Sequence, residues 1–232
     1  MTIRSAACAA VLALATVASV APPAQAGGAD ATEVVQAPGG PDGRIGPGAQ
    51  ERFIGAIVRD LAARPARVSE LTWWGTYLDG GGSRRTVADG AARTTAGSRH
   101  LVGAVYEAAL DREPDDTGLV FWASRIERGG ALTDVIARLY ASDEVRALAG
   151  GTTDAHVDLL YTELLGRSAD AAGRAYWVGR LDAPGGRLTS VRALVRSVEA
   201  SARRVDGLFA DLLRRAPDPA SRDHWALSLI HI

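Results

Sequence analysis

The 232-residue sequence contains no lysine and no asparagine, and its only cysteine is Cys8. Without asparagine there is no N-linked glycosylation acceptor. Because lysine is also missing, every basic residue is arginine, a bias typical of a GC-rich genome. Cys8 falls in an apolar N-terminal stretch that reads as a removable leader, so the rest of the chain has no thiol, disulfide or thiolate metal ligand. Charge of one sign is lacking too: 26 basic residues stand against 27 acidic ones, for a formal charge of -1. Such a chain has no global field to hold a polyanion, which argues against nucleic acid as a partner. No H-E-x-x-H or G-x-S-x-G string occurs, and no Gly-rich loop has phosphate-cradling spacing. No catalytic residue and no cofactor is therefore expected. No stretch sustains the period-two alternation of a half-buried strand.

What is present begins with an export signal. Arg4 supplies the positive start, Ala6 to Ala21 an apolar run, and Ala24-Gln25-Ala26 a small-x-small cleavage site, so the mature chain is expected from Gly27. The run is shorter than the roughly 20 apolar residues a membrane span needs, and Pro22 and Pro23 break it. No transmembrane segment is expected in the mature chain. Residues 27–49, rich in Gly, Pro and Ala, read as a flexible linker.

Beyond them one pattern recurs. Tyr106, Tyr161 and Phe209 each precede an Arg by 6 positions (Arg112, Arg167, Arg215), an Asp by 9 (Asp115, Asp170, Asp218) and a Trp by 16 (Trp122, Trp177, Trp225). Gly118 and Gly173 occupy the next shared slot, where the last copy has Ser221. A fainter copy carries Val58, Arg64, Arg67, Glu70 and Trp74 in the aromatic, Arg, Asp, Gly and Trp slots. The Trp numbers 74, 122, 177 and 225 give intervals of 48, 55 and 48, lengths that signal stacked helical units. The expected fold is all-α, with tandem repeats of about three helices each.

Within a repeat the first helix buries Leu101, Val102, Val105, Tyr106 and Ala109, or Val157, Leu160, Tyr161, Leu164 and Leu165. The Asp is expected to cap the second helix, whose inner stripe holds Leu119, Trp122 and Ile126, matched by Trp177 and Leu181. Thr133 and Thr189 are expected to cap a third helix, which buries Val135, Ile136, Leu139 and Tyr140, or Val191, Leu194, Val195 and Val198. Both copies close with Ser-x-Glu, at Ser142 and Glu144 and at Ser197 and Glu199.

The ordered string of aromatic, Arg, Asp, Gly and Trp, followed by a Gly turn and a helix ending in Ser-x-Glu, resembles domain of unknown function 4214. The resemblance covers two full copies, about residues 100–204. It implies a small all-α module similar to the phycobilisome linker fold, found in secreted and surface bacterial proteins, and no agreed activity. The divisions that follow are a signal peptide at 1–26, a linker at 27–49, a degenerate repeat at 50–98, repeats at 99–152 and 153–204, and a truncated repeat at 205–226. The last six residues, L-S-L-I-H-I at 227–232, depart from the bias upstream and read as the translation of a sequencing-adapter end.

The recurring residues are read as structural, the Trp as core and the Arg as a partner of the helix end or the capping carboxylate. Trp73, judged to have no equivalent in the other copies, is the candidate exposed contact. Asp111, Asp115 and Asp116 form the densest acidic loop, a weak candidate for Ca²⁺ because the other copies lack its oxygens. The junction at Gly150-Gly151 is expected to be open, and the run from Val198 to Asp206 to be continuous and packed through Val198, Val205 and Leu208. The leading functional expectation is an exported, non-catalytic scaffold or protein-interaction module of the bacterial surface. Alternatives are a glycan- or calcium-dependent cell-wall module and an accessory segment of a larger exported enzyme.

Overall fold

A computed structural model describes residues 47–213 and 215–230, which form twelve α-helices with no strand among them. The first repeat comprises α1 (Pro47–Ala62), α2 (Val68–Asp79) and α3 (Arg84–Ala92). The second comprises α4 (Thr95–Leu110), α5 (Asp116–Glu127) and α6 (Leu132–Tyr140), followed by a short α7 (Asp143–Leu148). In the third, α8 (Thr153–Leu160) runs into a π turn (Tyr161–Leu165), then α9 (Ala171–Asp182) and α10 (Gly186–Val195). The fourth holds α11 (Val198–Leu213) and α12 (Pro219–Ile230). The expected signal peptide and most of the expected linker lie outside the described residues; α1 already starts within the linker's last three positions. The helix α12 continues through 227–230, part of the stretch read as an adapter scar.

Short polar side chains set where helices begin. Ser83, Thr94, Asp115, Ser142, Thr152 and Asp170 each accept a hydrogen bond from the backbone N–H three residues on, satisfying a donor that the first turn leaves without a partner. Ser197 does the same for Ala200 and Asp218 for Ser221. Thr133 and Thr189 do not. The helix α6 starts after Ala131, with no side-chain cap, and α10 starts after Gly185 in a left-handed conformation. Each helix therefore begins before its threonine, and Thr189 bonds back to the Gly185 carbonyl instead.

The apolar stripes read from the sequence face the core in all three helix types, buried in the first and third and only half-buried at Leu119, Trp122 and Trp177 of the second. Leu101, Val102, Val105, Tyr106 and Ala109 of α4 and their counterparts in α8 and the π turn belong to one core with Val135, Ile136, Val191, Leu194 and Val195. Each such side chain contributes about 1.5–3 kcal/mol when fully removed from water. Val198 departs from this: it is 51% exposed, because the third helix ends at Val195 and Val198 opens α11 instead. Val205 is buried as expected, and Leu208 is half-buried.

The unequal Trp intervals have a structural cause. Twelve residues separate Thr94 from Tyr106 and Ser197 from Phe209, and in both cases one uninterrupted 16-residue helix joins two repeats. Nineteen separate Ser142 from Tyr161, and this longer link breaks into α7 and α8 at Gly150 and Gly151, whose φ angles of 113° and 79° suit glycine. The chain is thus two repeat pairs, each fused through a shared helix. The expected edges at 98/99 and 204/205 fall inside α4 and α11, where Gly97 and Ser98 are buried within continuous helix. The pairs meet where α6 packs against α10. There the Asp134 carboxylate accepts from Arg138 of its own helix at 2.9 Å and from Arg192 of α10 at 2.6 Å. Burial works against ionisation of Asp134, yet these two hydrogen bonds outweigh it and hold its pKa below the usual carboxylate value.

Candidate functional site

The recurring residues form one wiring scheme at the corner between the first and second helix of each repeat. The Arg112 guanidinium lies 5.3 Å over the Tyr106 ring, Arg167 lies 4.9 Å over Tyr161 and Arg215 lies 5.1 Å over Phe209. Each also donates to the carbonyl of the residue that follows it. Arg112 grips Glu144 with two bonds, of 2.7 and 2.9 Å, and Arg167 grips Glu199 the same way. The Arg therefore ties the corner to the Ser-x-Glu motif 32 residues on, rather than chiefly to the capping Asp; only Arg167 also approaches its Asp, at 3.8 Å. These hydrogen bonds raise the Arg112 and Arg167 pKa values and lower that of Glu144.

The first repeat has rewired this bond. Its slot for the distant glutamate holds Ala96, and Glu70 stands in the glycine slot. Arg64 takes Glu70 instead, through bonds of 2.8 and 2.6 Å, and Glu70 also accepts from the Arg67 backbone N–H at the start of α2. The Arg64 hydrogen bond draws the Glu70 carboxyl down to a pKa of about 2 against the opposing cost of burial.

Each Trp is half-buried rather than fully enclosed. Trp74, Trp122 and Trp177 pack against the core as its lid, and Trp225 is similarly placed in exposure. In front of each Trp stands another ring in edge contact with it: Trp73 at 4.3 Å, Phe121 at 4.8 Å, Tyr176 at 5.1 Å and His224 at 5.3 Å. Trp73 accordingly does have equivalents, one in every repeat. Reading the slot only for tryptophan hid it, since its occupants share an aromatic ring and no residue type. All four are exposed, with Trp73 at 61%, Phe121 at 54% and Tyr176 at 55%. Arg125 and Arg180 lie over both rings of their pairs at 5.5–6.0 Å, and Trp73 stacks at 6.3 Å on Tyr77.

Two further slots went unread. Gln50 donates to Asp79, Ser98 to Glu127 and Thr153 to Asp182, each pair 29 residues apart, tying the first helix to the last turn of the second. In the other slot, His156 contacts the Tyr140 carbonyl at 2.8 Å, and Arg204 donates to the equivalent Val195 carbonyl at 2.9 Å. Each closes the C-terminus of a third helix, where carbonyls lack partners. Burial lowers the His156 pKa, opposed by the Tyr140 bond and reinforced by Arg187 and Arg146. His156 is thus neutral, and its Nε2–H donates to Tyr140. It also borders a cleft of about 410 Å³ at the joint between the repeat pairs, with Arg146, Thr153, Asp182 and Arg187.

The acidic loop is engaged in folding. Asp115 caps α5 through the Gly118 N–H at 2.8 Å, Asp116 opens α5, and Asp111 ends α4 in a left-handed conformation. Among the described residues no group of three His, Cys, Asp or Glu is placed to hold a metal ion. None of their helices is long and apolar enough to cross a membrane.

Comparison with known families agrees with the wiring. Residues 93–149 and 136–204 each match Domain of unknown function (DUF4214), in tandem and overlapping at α6 and α7, the elements that close one repeat and lead to the next. No curated protein and no solved structure matches the chain.

Proposed function

With residues 93–204 belonging to the DUF4214 family, we propose that the chain is an exported, non-catalytic scaffold of the bacterial surface that binds a partner protein through its repeated exposed rings. The observation that carries this reading is the row of Trp73, Phe121, Tyr176 and His224, each held in edge contact with a half-buried Trp. A ring fixed in this way loses little conformational freedom on binding and offers a large apolar area, the combination that marks protein contact sites. Arg125 and Arg180 beside the rings add planar donors suited to acidic groups on a partner. Export rests on the tripartite N-terminus, which predicts mature protein starting at Gly27 outside the membrane.

A test replaces Trp73, Phe121, Tyr176 and His224 together with Ala. The variant should melt near the parent temperature yet lose its association with surface proteins in cross-linking on whole cells. Undiminished cross-linking would refute the reading, as would an N-terminus at Met1 or Thr2 in cytosolic protein. The pair of Trp73 and Tyr77, nearly parallel at 11°, favours a second reading in which sugar rings stack there. Purified cell-wall polysaccharide that quenches tryptophan emission in the parent but not in Trp73→Ala would support the glycan reading over the protein one.

A further inference from the structure

The joint between the repeat pairs holds a polar cleft of about 410 Å³ at a place that the preceding repeat packs with leucine. His156 and Arg187, which border it, occupy the slots of Leu101 and Leu132 in the second repeat, and both leucines are buried. The residue that ends the preceding third helix differs as well: Arg93 follows α3 and Arg196 follows α10, but Ala141 follows α6. Arg93 reaches to 3.4 Å from the Cβ position of Gly129, in the glycine turn of the second repeat. Ala141 borders the cleft but is too short to reach the equivalent turn at Gly185, and the space between them stays open.

Most of what borders the opening donates hydrogen bonds. Among the described residues Arg146 has no ion pair, and Arg187 is held by Asp143 through Nη1 alone, which leaves its other N–H groups free. Burial lowers the His156 pKa and the charges of Arg187 and Arg146 add to it, so both guanidinia lie close to that ring. The helix α10 starts at Gly185 with no side-chain cap, and its amino end, which attracts negative charge, borders the cleft. Against these stands Asp182, whose Oδ1 accepts from the Thr153 hydroxyl at 2.6 Å and whose Oδ2 remains an acceptor. We propose that the cleft binds a sugar acid. Its carboxylate lies between Arg146, Arg187 and the amino end of α10, where planar guanidinium forks match a carboxylate. Its hydroxyls meet Asp182 and Thr153, and the volume suits one sugar ring better than a bare inorganic ion. Arg146 belongs to the first repeat pair and Arg187 to the second, so the ligand braces the joint, apart from the exposed rings proposed to meet a partner protein.

The test is titration of the full chain with glucuronate, followed through the backbone amide signals of Arg187 and Leu188 and the ring signals of His156 in NMR spectra. Saturable shifts are expected, with a Kd on the order of 1 mM for so small a ligand. Glucose, which lacks the carboxylate, should bind about tenfold more weakly or worse, the effect of losing a charge-assisted contact. Ala141→Arg places in the gap the residue that both fused joints carry, and should abolish the shifts while the melting temperature stays near that of the parent. Arg146→Gln, which removes no ion pair among the described residues, should weaken binding by about the same factor as the loss of the carboxylate. Absence of saturable shifts, glucose binding as tight as glucuronate, or undiminished binding in both variants overturns the proposal. Inorganic sulfate that binds as tightly as glucuronate overturns the assignment of a sugar acid. Should Ala141→Arg fail to fold, the glucose comparison and Arg146→Gln decide alone.

Discussion

The Tyr161 hydroxyl stands 2.5 Å from the point that a Cβ on Gly173 would occupy, and the Tyr106 hydroxyl stands 2.8 Å from the same point at Gly118. The repeated glycine is there because a buried tyrosine leaves no room for a methyl group. The chain carries its own control: where Phe209 lacks the hydroxyl, Ser221 fills the glycine slot, and where Val58 lacks the ring, Glu70 does. Gly173→Ala should therefore destabilise the third repeat by about 1–3 kcal/mol, the usual cost of overpacking. Tyr161→Phe should recover most of that loss. Denaturant melts of the double-mutant cycle measure the coupling, and additive losses would contradict the steric account.

The half-buried Trp and its exposed neighbour should separate cleanly. Trp177→Ala is expected to cost about 2–3 kcal/mol, below the 3–5 typical of a fully enclosed aromatic. Tyr176→Ala should cost under about 0.5 kcal/mol, as surface substitutions do. Equal losses in urea unfolding would mean that the lid and the exposed ring have been misassigned.

Stability should depend on pH through His156. Its folded pKa lies below the ordinary 6.5, so between those two values the unfolded chain binds the proton that the folded one refuses. Stability is then complete above pH 6.5 and is lost as pH falls from there toward the depressed folded value. Thermal melts at pH 7 and pH 5 should show the drop, and His156→Leu, with the residue native at Leu101, should flatten it. The positive charges of Arg146 and Arg187 add to the burial effect, so replacing either with Gln should bring the folded pKa back toward 6.5 and make the drop smaller.

The corner arginines should contribute modestly. Arg112 and Glu144 are 40% and 47% exposed in their side chains, so solvent screening keeps the contribution of a bidentate pair small. A double-mutant cycle with Arg112→Ala and Glu144→Ala should return a small favourable coupling that shrinks in high salt. In the first repeat Glu70→Gln should mimic the loss seen when pH falls from 4.5 toward 2, since its depressed carboxyl stabilises only while ionised.

Limited proteolysis should find the one broken link. Gly150, Gly151 and Thr152 are exposed between α7 and α8, whereas Ala202, Arg204 and Val205 are buried within the continuous α11. Early cleavage near 150–152 with protection at 202–206 is expected, and the reverse order would contradict the pairing of repeats.

The helical period, the repeat length and the capping aspartates were legible in the sequence, because each depends on residues within a few turns of one another: an apolar stripe every three to four positions, or an oxygen three residues before a bare N–H. The link through Val198 to Asp206 was legible as continuous for the same reason, with no Gly or Pro to stop a helix. What joins distant positions was not. That Arg112 reaches Glu144 rather than Asp115, that His156 and Arg204 close the ends of third helices, that α6 packs on α10, and that Trp73, Phe121, Tyr176 and His224 share one exposed slot all depend on which turn of one helix lies beside which turn of another. Packing between helices decides this, by fitting the volumes of buried side chains, and it leaves no fixed spacing in the chain until the elements have been placed. The short intervals were therefore set by local hydrogen bonding and periodicity, and the intervals of 16, 29 and 32 residues acquired their meaning only from the tertiary structure.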